Sequence, residues 1–299
     1  MAGPAPAATD YAFSIVAAVY FPMYDDLLIA TDGSDLASRA ATQGIAIAAA
    51  VDARVHAVSV ADAREGSPGA ERERERCHRF VDAVVAEALD HDVPADAIVR
   101  DGRPHGEILA AADERDVDLL VLGTHGRTGL RRWLLGSVAI GVIRAARRPV
   151  LTVGRSVATV PRDLDRILVA TDGRQQGDAP VREAIALAET FEATLHALSV
   201  VDDVHSRLPV VLEAFEKAAE ETTTDVERRA IERGVDVVTD IERGVPHDVI
   251  VEYASDRDVD LLVLGTESRS GLDRLAMGSV SQRVVGSAPA PVLTVRPTE

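Results

Sequence analysis

Residues 118 to 137 read Asp-Leu-Leu-Val-Leu-Gly-Thr-His-Gly-Arg-Thr-Gly-Leu-Arg-Arg-Trp-Leu-Leu-Gly-Ser, and their chemistry suits an anion. Gly123, Gly126 and the pair Gly136-Ser137 stand in a Gly-x2-Gly-x9-Gly-Ser spacing. Glycine puts no Cβ between backbone amides and a ligand. A helix beginning near Ser137 would add unpaired N–H groups and the positive end of its dipole. Arg127, Arg131 and Arg132 supply cations beside them. The guest these features predict is a phosphate.

Other reactive side chains are sparse. Asp32 closes the first apolar run, where it can meet a ribose hydroxyl or a metal, or serve as an ordinary turn and cap residue. His105 and His247 each follow a proline at a helix start, where N-terminal capping accounts for them better than catalysis does. His105 with Glu107 is too small a set to hold a metal. Cys77, the single cysteine, has no internal disulfide partner and points to a reduced, cytoplasmic setting. No Gly-x4-Gly-Lys-Ser/Thr occurs, and the single lysine, Lys217, lies in a polar helical stretch, so a phosphate-loop lysine is excluded. The Gly-x-Gly-x-x-Gly dinucleotide fingerprint is also absent after the first strands.

The elements that must position these residues alternate. Short, continuously apolar strands are expected at 27–31, 55–60, 97–100, 118–122 and 150–153, with helices at about 35–50, 71–91, 104–115 and 137–147 between them. Ser34 or Asp35 caps the first helix, and Glu75 with Arg79 is a candidate i,i+4 pair in the polar second one. Alternation of this kind predicts parallel strands with right-handed crossovers, and a ligand outside the strands' carboxyl ends. Asp32 and Gly123 both stand at such ends and can share one crevice.

The unit then repeats. Ile167 to Gly173 matches Leu27 to Gly33, His196 to Val200 matches His56 to Val60, and Gly244-Val-Pro-His247 matches Gly102-Arg-Pro-His105. Arg115 to Thr124 and Arg257 to Thr266 are the same ten residues. This is a tandem duplication. The organisation it predicts is an N-terminal extension without a fold of its own (1–22), a first domain (23–154), a linker (155–165) and a second domain (166–299). Met23, directly before the first strand, is the expected natural start.

The Ala-Thr-Asp-Gly after the first strand, the Gly-x-Pro-His before the third helix and the Gly-Thr-His-Gly loop together resemble a tandem universal stress protein, over residues 24 to 296. That resemblance implies an α/β fold of two Rossmann-like units, each a five-stranded parallel sheet with helices on both faces. It implies ATP, with or without a magnesium or manganese ion, as ligand of the first repeat. Asp32 would lie against the adenosine, Val60 beside the base, Gly123 and Gly126 at ribose and phosphate, with Arg127 next to them, and Gly136, Ser137 and Val138 at the phosphates. The family also pairs units through their last strands, here 150–153 and 292–295, which would make one chain a pseudo-dimer able to dimerise further.

The second repeat keeps Asp172, Val200, Gly265, Gly278 and Ser279 but carries Ser268 in place of Gly126. Residues 124–137 hold three arginines and no carboxylate, for +3, whereas 266–279 hold Arg269 and Arg274 against Glu267 and Asp273, for zero. The expectation is a degenerate second site.

Composition limits the partners. The chain has 299 residues and a formal charge of −17, which disfavours nucleic acid. Abundant carboxylates with one lysine resemble proteins of organisms that keep molar salt in the cytoplasm. Tyr11 to Met23 is too short to span a bilayer and has no basic flank, so neither a membrane anchor nor a signal peptide is expected. The leading reading is a nucleotide-binding stress module without strong catalysis. Its alternatives are an ATP-hydrolysing or adenylyl-transferring enzyme, and a partner-binding protein that has lost nucleotide.

Overall fold

A computed structural model describes residues 24–62, 69–126, 135–161, 163–172, 178–204, 209–266 and 277–296. The expected extension at 1–22, the start at Met23, Arg127, Arg131, Arg132 and Ser268 therefore lie outside the described residues.

In the first half the chain runs β1 (Asp26–Ala30), α1 (Asp35–Ala50), β2 (Arg54–Ala61), α2 (Ala70–Asp90), β3 (Ala95–Asp101), α3 (Pro104–Glu114), β4 (Leu119–Gly123), α4 (Ser137–Ala145) and β5 (Val150–Val153). The second half repeats it: β6 (Arg166–Ala170), α5 (Asp178–Thr190), β7 (Thr194–Val201), α6 (Pro209–Glu232), β8 (Val237–Arg243), α7 (Pro246–Asp256), β9 (Leu261–Gly265), α8 (Ser279–Ser287) and β10 (Val292–Val295).

Within each half the five strands are parallel, but the halves do not keep separate sheets. All ten strands form one sheet in the order β3-β2-β1-β4-β5-β10-β9-β6-β7-β8. The seam is antiparallel, with Leu151 opposite Leu293. It closes symmetrically: buried Thr152 donates its hydroxyl to the Val292 carbonyl and buried Thr294 donates to that of Val150, both at 3.1 Å. Each hydroxyl would otherwise be an unmet polar group in the core.

The strands are apolar without alternation because both faces are covered. Leu27 and Ile29 enter one core with α1, α2, α5 and α6, while Leu28 and Ala30 enter the other with α3, α4, α7 and α8. Both cores run across the seam. Left-handed residues stop helices at matching places, Asp52 (φ 56) with Glu192 (φ 53) and Asp116 (φ 49) with Asp258 (φ 48).

One side-chain pair differs from expectation. The polar start of α2 pairs Arg76 with Glu73 at 3.1 Å, one turn earlier than the Glu75–Arg79 pair. The connection between halves is packed, with Val157 and Leu164 buried and the Arg39 guanidinium donating to the Val157 carbonyl. Among the described residues no helix is long and apolar enough to cross a membrane.

Candidate functional site

The site forms where β1 and β4, paired in parallel, end side by side. After β1, the Thr31 amide still bonds the Val58 carbonyl at 2.9 Å, and then the chain turns. Asp32 Oδ1 accepts the Ser34 amide at 3.1 Å, and Ser34 Oγ accepts that of Ala37 at 3.3 Å. Ser34 is thus the cap of α1. Asp32 sets the turn before it with one carboxylate oxygen.

The glycines stand at close approaches. A Cβ on Gly126 would collide with Oδ2 of Asp32. On Gly123 it would stand 3.0 Å from the Leu36 carbonyl carbon and 3.1 Å from the Ala37 nitrogen, so β4 touches the first turn of α1. On Gly136 it would stand 3.0 Å from the Thr124 carbonyl oxygen, which the Gly136 amide itself bonds at 2.8 Å. Gly136 caps α4 and, as glycine, offers no side-chain oxygen to its first turn, so those amides can face a ligand.

These residues surround a cavity of about 800 Å³. Asp32, Val60, Gly123, Gly126, Gly136, Ser137 and Val138 all line it, so every described member of the expected first site is brought together. Val58, Ile108, Leu122 and Leu135 give it an apolar wall. The volume and the mixed lining suit a ligand of nucleotide size. Among the described residues no group of three or more His, Cys, Asp or Glu side chains could hold a metal. A magnesium or manganese ion would fit here only on a ligand's own phosphates, with Asp32 as a possible further oxygen donor.

Sequence reasoning missed part of the lining. Asp62, Glu73, Arg103, His105 and His125 also face the cavity. The reading of His105 and His247 as caps is corrected: the cap positions are Arg103 and Val245, neither making a side-chain capping bond. The exposed His105 ring instead lies in the cavity wall, and the repeated Gly-x-Pro-His was the signal that could have found it.

In the second half Asp172 follows β6, Val200 lies in β7, Gly265 ends β9, and Gly278 caps α8 ahead of Ser279. The Gly278 amide bonds the Thr266 carbonyl at 2.9 Å, as Gly136 bonds Thr124. Among the described residues a Cβ on Gly265 would find Pro180 Cγ at 3.4 Å, while Gln176 and Gly177, the counterparts of Leu36 and Ala37, lie outside the described residues.

A doubly wound α/β protein with a ligand crevice at its strands' carboxyl ends is the class that fold and cavity define. The chain belongs to the universal stress protein family: the family model described as "Universal stress protein family" matches residues 23–154 and 164–296. The universal stress protein MJ0531 of Methanocaldococcus jannaschii is 33% identical over 138 residues, 44% of this chain and 81% of that protein. A universal stress protein of Mycolicibacterium smegmatis is 29% identical over 188 residues, 61% of this chain and 63% of that protein. The crystal structure of a universal stress protein from Archaeoglobus fulgidus superposes with a TM-score of 0.72 at 20% identity, covering 93% of this chain and 100% of that one, and shares the fold.

Proposed function

We propose that this universal stress protein is a binding module for adenine nucleotide, with ATP held in the first half (23–154) and its effect exerted through occupancy rather than turnover. The observation that carries this reading is the convergence of seven expected contacts on one cavity. The uncapped first turn of α4 suits phosphates, the Asp32 carboxylate suits ribose hydroxyls, and the apolar wall suits a base. The second half (166–299), joined through 155–165, serves as a companion that completes the sheet as the partner subunit of a dimer would. Cys77, buried within α2, fits a reducing cytoplasm, and the acid surplus fits one rich in salt.

Mass spectrometry of small molecules released when the purified protein is denatured, followed by calorimetric titration with ATP, tests the proposal. Retained or titratable ATP with phosphate release no faster than a trace is the expected result. Rapid release would favour the enzyme reading, and no binding would favour a nucleotide-free partner-binding protein.

A further inference from the structure

The first cavity is polarised in a way that the glycine spacing does not reveal. Glu73 enters from α2, which packs on one face of the sheet, whereas Arg103 and His105 enter from the start of α3, on the face that α4 shares. The His105 ring rests on Gly141, in the second turn of α4. A Cβ there would stand 3.0 Å from His105 Cβ and Cγ and 3.3 Å from its Cδ2. Among the described residues neither the Arg103 guanidinium nor the His105 imidazole has a hydrogen-bond or ion-pair partner.

The second half shows the same position put to another use. Arg283 replaces Gly141, and its guanidinium donates to Nε2 of His247, the counterpart of His105, at 3.3 Å. His247 also lies 3.3 Å from the Asp248 carboxylate. Val245 replaces Arg103, and the counterpart of Glu73 is Phe215. The imidazole that faces an open cavity in one half is therefore tied to protein groups in the other, and the cation beside it is gone.

Resting on the nucleotide reading above, we propose that Arg103 and His105 are contact residues for the anionic part of the ligand, and that they set a preference for nucleotide over nucleoside in the first half alone. They stand on the same face as the uncapped N-terminus of α4, so a phosphate chain leaving Gly136 and Ser137 toward α3 meets two donors of the right sign. A planar guanidinium and an imidazole N–H both suit phosphate oxygens. Glu73, paired with Arg76, and Asp62 present acceptor oxygens that suit hydroxyls and amino groups of the ligand in their part of the cavity.

The experiment is calorimetric titration of the full chain with ATP and, separately, with adenosine, for the wild type, Arg103→Ala, His105→Ala, Arg103→Lys and His105→Gln. The wild type should bind ATP more tightly than adenosine. Each alanine variant should lose about tenfold in ATP affinity with adenosine affinity unchanged, and Arg103→Lys and His105→Gln should recover part of it. Equal losses for both ligands would make these residues mere wall and overturn the assignment, as would unchanged ATP affinity. A wild type that binds neither ligand overturns the nucleotide reading itself, and this assignment with it. Matching melting temperatures across the set exclude misfolding as the cause of a loss.

Discussion

The two halves share ten identical residues through β4 and β9, the same order of strands and the same glycine cap on the helix that follows, yet they surround their strand ends differently. In the first half α1 begins early enough for Gly123 to touch its backbone at 3.0 Å, and Gly126 abuts Asp32. In the second half the counterparts of those α1 residues lie outside the described residues, and the contrast lies at the rim, where Arg283 stands for Gly141 and donates to His247, and Val245 stands for Arg103. The difference teaches that a strand and a cap make a crevice, while the side chains that distant helix positions bring to its rim set the crevice's chemistry. It is also visible away from the crevice. Glu183 accepts the Tyr24 hydroxyl across the two halves, but at the matching positions stand Gln43 and Leu164. Gln43 is fully buried with neither side-chain nitrogen nor oxygen hydrogen-bonded among the described residues.

The largest expected effect breaks the first half's advantage. Gly126→Asp places a Cβ against the Asp32 carboxylate and a second negative charge at the phosphates, and should weaken ATP at least ~100-fold with little change in melting temperature. Unchanged affinity by calorimetry would remove the loop from the site. Next in size is stoichiometry. Titration of the intact chain should saturate near a single ATP per chain, and two equal sites would show that the second half's Ser268, Glu267 and Asp273 do not matter.

A third test concerns both halves together. With −17 formal charge, the melting temperature should climb as KCl rises from low to molar, because screening relieves carboxylate repulsion. A flat curve would reject the high-salt reading. Smaller still is the effect at the buried pair of positions. Gln43→Leu removes two unmet polar atoms from the core and should stabilise the fold by about 1 kcal/mol, while Tyr24→Phe should destabilise it by a similar amount; chemical denaturation reads both. Gln43→Leu proving destabilising would mean the amide has a role in the core.

The smallest effect sharpens the same contrast by pH. Burial pushes the Glu183 carboxyl above its ordinary 4.5. An acid whose folded pKa is raised contributes stability that is complete below the unfolded pKa and is lost as pH rises through the folded one. Glu183→Gln should therefore flatten a small decline of stability that begins near pH 4.5 and extends upward to the raised folded value. Parallel curves for variant and wild type would place that decline elsewhere in the chain.

How much was legible in the sequence can be seen at particular residues. Leu27 to Ile29 and Leu119 to Leu122 are apolar without alternation, which only a strand covered on both faces requires, so strands, parallel alternation and duplication could all be read directly. The glycine spacing located the crevice because close approach leaves little room for a side chain, and that preference is written in residue type. His105 was misread because its local context, a proline at a helix start, is shared with His247, while its surroundings are set by Gly141 against Arg283, residues 36 positions further along in each half. Gln43 looks like one polar residue on an amphipathic helix. That it has no partner among the described residues, and that its counterpart does, follows from which residue the other half brings across the seam. Periodicity and glycine demand are local properties of the chain, so the sequence by itself determined the elements, the repeat and the crevice. The lining cations, the single ten-stranded sheet and the unequal buried positions depend on which distant residues meet, and only tertiary packing decided those.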